Sequence, residues 1–233
     1  MKVKKKITKK KLKQPDEFIS FTEKTFLFMT QHLKKIMIGG IFISVIVISF
    51  FLFQMWENRK EEAAVQKFSL AVEVYQTVSS PYREGTPAEY KNAMEKFDEI
   101  IKSFPGTSSG RLSLLYKGNL HLRVGEPDEA IKSFQAFLQK AGQERFYRLF
   151  ALEGLGYAYE GKKDYEKAVK TYEEIIKLGE DYYWAGAHLN LARCYEKLGK
   201  KAEALQNYNV FLKVSNKSSS THSVLRKVSS LEK

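Results

Sequence analysis

Four histidines, one cysteine and a few adjacent carboxylates are the side chains of this 233-residue chain with the chemistry for catalysis or metal binding. His32, His121, His188 and His222 are scattered, and His121 and His188 fall where a repeating pattern puts packing residues. Cys194 is the single cysteine, so no intramolecular disulfide forms and no Cys/His zinc spacing exists. Beside Tyr195 in a helical pattern, it reads as a small buried hydrophobe. The pairs Asp98/Glu99 and Glu173/Glu174 sit on faces where solvated charge is a sufficient account. No nucleophile elbow, glycine-rich phosphate loop or metal signature occurs. The expectation is a protein that is not an enzyme and uses no cofactor or metal.

The elements around these side chains begin with one uncharged stretch, Ile36 to Trp56. At 1.5 Å per residue it extends roughly 31 Å, the thickness of a bilayer's hydrocarbon core. Eleven lysines against three carboxylates precede it, whereas 28 cations and 24 carboxylates follow it. This bias predicts a cytoplasmic N-terminus and an exported C-terminal domain, with Trp56 at the outer headgroup level. The stretch is too long for a cleaved signal peptide, and no small-x-small site follows, so an uncleaved signal anchor is expected. The formal net charge is +12, with an excess in the lysine tail. Beside a span, such a tail serves as a topology signal and a contact for anionic lipid; no nucleic acid is expected.

The expected organisation is a lysine-rich cytoplasmic tail over 1–14, a juxtamembrane helix over 15–35, the transmembrane anchor over 36–56, and a helical domain over 57–233. Asp16 or Ser20 could cap the juxtamembrane helix. It either lies on the membrane surface, or binds a partner there, or is a plain stem. Beyond the span, helical patterns alternate with short breakers, SSPYREGTP and FPGTSSG among them, and no strand alternation is convincing. The segments beginning at Tyr90, Pro127, Asp164 and Lys201 align. Each has a small alanine (Ala93, Ala130, Ala168, Ala204), an aromatic four residues on (Phe97, Phe134, Tyr172, Tyr208) and a large apolar residue three further (Ile100, Phe137, Ile175, Phe211). The preceding helices repeat as Leu114/Gly118/His121, Leu152/Gly156/Tyr159 and His188/Ala192/Tyr195, the small residue admitting a neighbouring helix. A fixed period of this length implies stacked helix pairs. Val224, Leu225, Val228 and Leu231 should form the apolar side of a short capping helix at the end. The aromatic run DYYWAGAH (181–188) marks a repeat junction, readable as an exposed partner patch or as inter-repeat core.

This pattern resembles the tetratricopeptide repeat (TPR) over roughly residues 88–216. The first pair departs: its leading helix lacks the small-plus-aromatic pair and is set apart by SSPYREGTP. The expected fold is all-α, a single N-terminal transmembrane helix followed by a TPR-like α-solenoid of stacked helix pairs. In such stacks the leading helices line a concave groove. Extrapolation places Leu115, Asn119, Leu122 and Arg123 there, then Glu153, Tyr157 and Glu160, then Leu189, Arg193, Glu196 and Lys197. A mixed apolar and charged groove suits an extended or helical peptide. Some TPRs clamp a C-terminal carboxylate with cations, but Glu153 and Glu160 intrude here, so that activity is not carried over.

The order of PDEFISFTEKTFLFMTQHLKK, one span, an alanine-rich helix and TPR-like pairs also resembles the YfgM-type family of single-span inner-membrane proteins. These are ancillary subunits of the SecYEG translocon. The resemblance implies a periplasmic helper for newly exported proteins, with translocon subunits, periplasmic chaperones or exported clients as partners. The competing reading is a structural scaffold that recruits an envelope-assembly or cell-division complex without binding clients.

Overall fold

The computed structural model describes residues 17–140, 145–178, 184–215 and 219–233, with the side chains of 17–20 and Trp184 excluded. Among these residues the structure has ten helices and no strand, and the helix pairs of the C-terminal part form a TPR-like solenoid. Two compact units divide the chain, one ending at Asn58 and the other comprising Arg59–Lys233.

In the first unit α1 (Glu17–Gln31) precedes α2 (Leu33–Val78), a 46-residue helix that continues into the second unit. The sequence suggests two separate helices, before and after Trp56. No Pro or Gly interrupts the chain between Gly40 and Val78, so the helix has no reason to end at the last apolar residue. The early part of α2 is long and apolar enough to cross a membrane, and its large apolar side chains are exposed.

The second unit continues as α3 (Pro87–Ser103), α4 (Ser108–Arg123), α5 (Pro127–Lys140), α6 (Arg145–Gly161), α7 (Tyr165–Leu178), α8 (Trp184–Lys197), α9 (Lys201–Val214) and α10 (Thr221–Leu231). From α3 onward each helix packs on the next in the chain, and α4 also meets α6. Helix starts are set locally. Thr86 and Glu89 form a reciprocal capping box at α3, and the Thr107 hydroxyl accepts the Gly110 N–H at α4. A second cap comes from far away: the Glu61 carboxylate on α2 accepts the N–H groups of Ser108 and Ser109 at 3.0 and 3.4 Å.

The leading helices α4, α6 and α8 end alike. The N–H two residues past each helix's last turn reaches back five residues, from Glu126 to His121, Asp164 to Tyr159 and Lys200 to Tyr195, each at 2.9 Å. This closure needs a left-handed residue, supplied by Gly125, Lys163 and Gly199. Lys163 (φ 61°) is the costly one, because a Cβ disfavours that region.

Burial follows the repeat. The four alanines, the four aromatics and the four large apolar residues named above are all at most 3% exposed. A full ring or aliphatic side chain buried this way contributes about 1.5–3 kcal/mol. The small residues are obligatory where rings press on them. A Cβ on Gly118 or Gly154 would meet the Phe134 ring at 2.7 or 2.4 Å, and one on Gly156 would meet Tyr172 at 2.3 Å. The first pair is less deviant than its sequence suggests. Its leading helix is the later part of α2, which buries Ala71 and Val78 with Phe97 and packs Phe68 and Tyr75 edge-on against Tyr116.

Candidate functional site

Leading helices present the surface that the sequence assigns to a groove, and the structure gathers most of it into two concavities. One, of about 510 Å³, is lined by Leu122, Arg123 and Tyr157 with Gly125, Pro127 and Gly161, at the junction of α4, α5 and α6. The other, of about 730 Å³, is lined by Glu160, Leu189, Arg193, Glu196 and Lys197, with Tyr165, Tyr208 and residues of α10. Three expected residues line neither. Leu115 is only 5% exposed and packs with Phe134 and Ala151, so it is core and not groove. One residue further along α4 than Leu114, it falls on the side that α6 covers. Asn119 and Glu153 are half-buried outside both concavities.

Ion pairs and phenols organise the larger cleft. Arg193 Nη2 donates to both oxygens of Glu160, at 2.8 and 3.2 Å, and the Tyr172 hydroxyl donates to Glu160 Oε1 at 2.6 Å. One turn of the solenoid later, Lys227 Nζ donates to Glu196 Oε1 at 2.6 Å and the Tyr208 hydroxyl to Oε2 at 2.9 Å. Burial, and then the bond to a carboxylate, holds both phenols far above the usual tyrosine range. Burial alone would push the Glu196 carboxyl up, but its bonds to Lys227 and Tyr208 outweigh burial and hold it below its ordinary value.

Near the smaller concavity, Tyr157 is 40% exposed and donates to Glu153 Oε1 at 3.3 Å, while Asn190 Nδ2 donates to the Tyr157 hydroxyl at 3.4 Å. No cation pairs with Glu153 among the described residues. Burial raises its pKa, and the Tyr157 bond offsets this only in part.

Sequence reasoning missed α10's part in the cleft. Ser223, Arg226, Lys227 and Ser230 line it. Their spacing of three, four and seven residues defines one helical face, a signal readable in THSVLRKVSSL. Val224, Val228 and Leu231 pack on the α8–α9 core as expected, but Leu225 is 49% exposed, being one residue off that stripe. The aromatic run at 181–184 lies outside the described side chains.

Of the remaining reactive groups, His222 is exposed and His32 half-buried, while two histidines and the cysteine are packed. His121 is buried with Nδ1 2.7 Å from Glu126, and His188 is buried with Nδ1 2.6 Å from Asn207 Oδ1. Cys194 is fully buried, and burial pushes its thiol up to about 12. Among the described residues no cluster of three or more His, Cys, Asp or Glu could hold a metal ion.

Two tetratricopeptide repeat models match the sequence, over residues 115–183 and 187–214. The chain therefore carries tetratricopeptide repeats, and its helix pairs have the TPR-like solenoid fold. Similar solved structures include nearly identical TPR-like repeats from Podosopora anserina assigned to a kinesin light chain. These are 15% identical, with 73% of this chain and 85% of that chain covered and a TM-score of 0.57. A tetratricopeptide repeat protein from Parabacteroides merdae is 19% identical, covering 71% of this chain and 61% of its own, with a TM-score of 0.55. The MamA protein is 17% identical over 65% of this chain and 74% of its own, with a TM-score of 0.51. At such identities the likeness shows the fold. No curated protein matches the sequence. A TPR fold indicates a protein–protein interaction module.

Proposed function

We propose that this chain is a membrane-anchored interaction module whose groove, running from α4 to α10, holds segments of partner proteins beside the Sec translocon. Residues 36–56 are the single span, the lysine-rich N-terminus is cytoplasmic, and residues 57–233 stand on the exported side, where they assist newly exported proteins. The carrying observation is the pair of concavities along the leading helices, where Leu122, Tyr157 and Leu189 offer apolar contact and Arg123, Arg193 and Lys197 offer charge. Peptide recognition needs that mixture: apolar anchors for affinity and polar groups for selection. The order of elements, like that of the YfgM-type family, supports the translocon setting.

The fixed ion pairs at Glu160 and Glu196 favour a second reading, a scaffold for one selective partner. In-cell photo-crosslinking from Leu122, Tyr157 and Lys197 separates the two. Translocon subunits, periplasmic chaperones or many exported chains are expected as adducts. One stoichiometric envelope partner would select the scaffold. Cytosolic adducts would overturn the orientation, and no protein adduct from any position would end the groove reading.

A further inference from the structure

We infer that the cleft between α8 and α10 takes an acidic segment, one in which aspartate or glutamate side chains alternate with apolar ones, from the partner protein. This rests on the groove reading above and assigns a chemical class to its occupant. Four cations line the cleft, Arg193 and Lys197 from α8 and Arg226 and Lys227 from α10, against two carboxylates, Glu160 and Glu196. Neither carboxylate is left to repel a ligand. Glu160 is held by Arg193 and the Tyr172 hydroxyl, and Glu196 by Lys227 and the Tyr208 hydroxyl. Lys197 and Arg226 form no ion pair among the described residues, so the cleft retains a surplus of two positive charges.

One surplus cation comes from the end of α8 and the other from α10, which carries two cations and no carboxylate over Thr221–Leu231. A concave, partly desolvated wall strengthens its field relative to an open surface. A basic segment would meet like charge, and a neutral one would leave both cations unmatched. An acidic segment gains charge-assisted bonds, which guanidinium gives in bidentate form. Leu189 and Tyr165 supply an apolar wall for the side chains between the acidic ones.

The test uses the full-length chain in detergent micelles and two short fluorescein-labelled peptides, one alternating Asp/Glu with Leu and its Asn/Gln twin. Fluorescence anisotropy should show the acidic peptide binding at least about tenfold more tightly, with the preference shrinking towards about 0.5 M salt. Replacing Lys197 and Arg226 together by alanine should remove that preference with an unchanged melting temperature, because neither is ion-paired. Charge reversal of both, K197E with R226E, should transfer the preference to a Lys/Leu peptide. Equal binding of the two peptides, or unchanged preference in the alanine variant, would overturn the inference. So would displacement of the peptide by anionic-lipid vesicles that depends on the same two residues, which would assign the cleft to a lipid surface. Crosslinks to proteins from Leu122 and Tyr157 that persist without any acidic preference would sink the acidic class alone and leave the groove standing.

Discussion

The pair α4–α5 and the pair α6–α7 bury an aromatic ring in the same place but close its outer edge differently. Phe134 is sealed by carbon, with Leu122, twelve residues upstream, packed against its cluster. Tyr172 carries a hydroxyl at that edge, and its residue twelve upstream is Glu160, whose Oε1 accepts the hydroxyl's hydrogen bond at 2.6 Å. The α8–α9 pair repeats the polar version with Tyr208 and Glu196. Phenol and carboxylate arrive together or not at all, as a buried hydroxyl without a partner costs stability. Each polar edge also fixes a cation, Arg193 or Lys227, on the groove side. The α6–α7 and α8–α9 pairs thus place charge at the cleft from the ring's own edge, whereas the α4–α5 pair stays apolar at the matching position.

The sharpest challenge to this comparison is removal of the rings. Phe134→Ala and Tyr172→Ala should each cost about 3–5 kcal/mol in chemical denaturation. A much smaller loss for Tyr172 would mean that the polar pairs are loosely packed. Glu160→Ala should cost about 1–3 kcal/mol, because it strands a buried phenol. The combined Glu160→Leu and Tyr172→Phe should recover most of that, to within about 1 kcal/mol of the parent, by recreating the carbon seal. Failure of the double change to recover stability would show that the two edges are not interchangeable.

Acid titration sharpens the contrast within the polar half. Glu196 has a depressed pKa, so its stabilisation is present above the unfolded value of 4.5 and is lost as pH falls through the folded value. Glu153 has a raised pKa and the opposite sign: it destabilises at neutral pH, and stability returns as pH falls through its folded value. Glu196→Gln should therefore melt lower than the parent at pH 7 and converge with it in acid. Glu153→Gln should melt about 1–3 °C higher at pH 7 and lose the advantage near pH 4. The smallest effect is expected at the turns. Lys163→Gly should stabilise by about 0.5–1 kcal/mol, bringing the α6 end into line with those at Gly125 and Gly199. No gain would mean that the lysine's left-handed geometry is not strained.

Much of this was legible in the chain. The alanine, aromatic and apolar triplets gave the register because their identities encode volume, and volume decides which faces can meet. Gly118 and Gly156 were visible for the same reason. The groove was only half legible. Position along a repeat says which way a side chain leaves the helix, not what it meets there. Glu160 therefore read as a charge intruding on a groove, although it is the acceptor for its own repeat's tyrosine. Leu115 looked like surface by extrapolation and is covered by α6. The α10 wall was missed because its four polar residues take their role from docking on α8 and α9, a long-range contact. Glu61's cap on α4 was equally hidden, since no local pattern links residues 47 apart.

That distant cap sets the first layer apart in the sequence separation of its contacts. A chain emerging from its N-terminus can pair α4 with α5, or α6 with α7, as soon as each new hairpin has been made, because these contacts are close in sequence. The first layer is different. The polar end of α4 is not satisfied by its own neighbours alone but also by a carboxylate made 47 residues earlier, on the helix that carries the apolar stretch. The start of α4 therefore draws on a contact of long sequence separation, whereas each later hairpin is closed by contacts between neighbours in the chain.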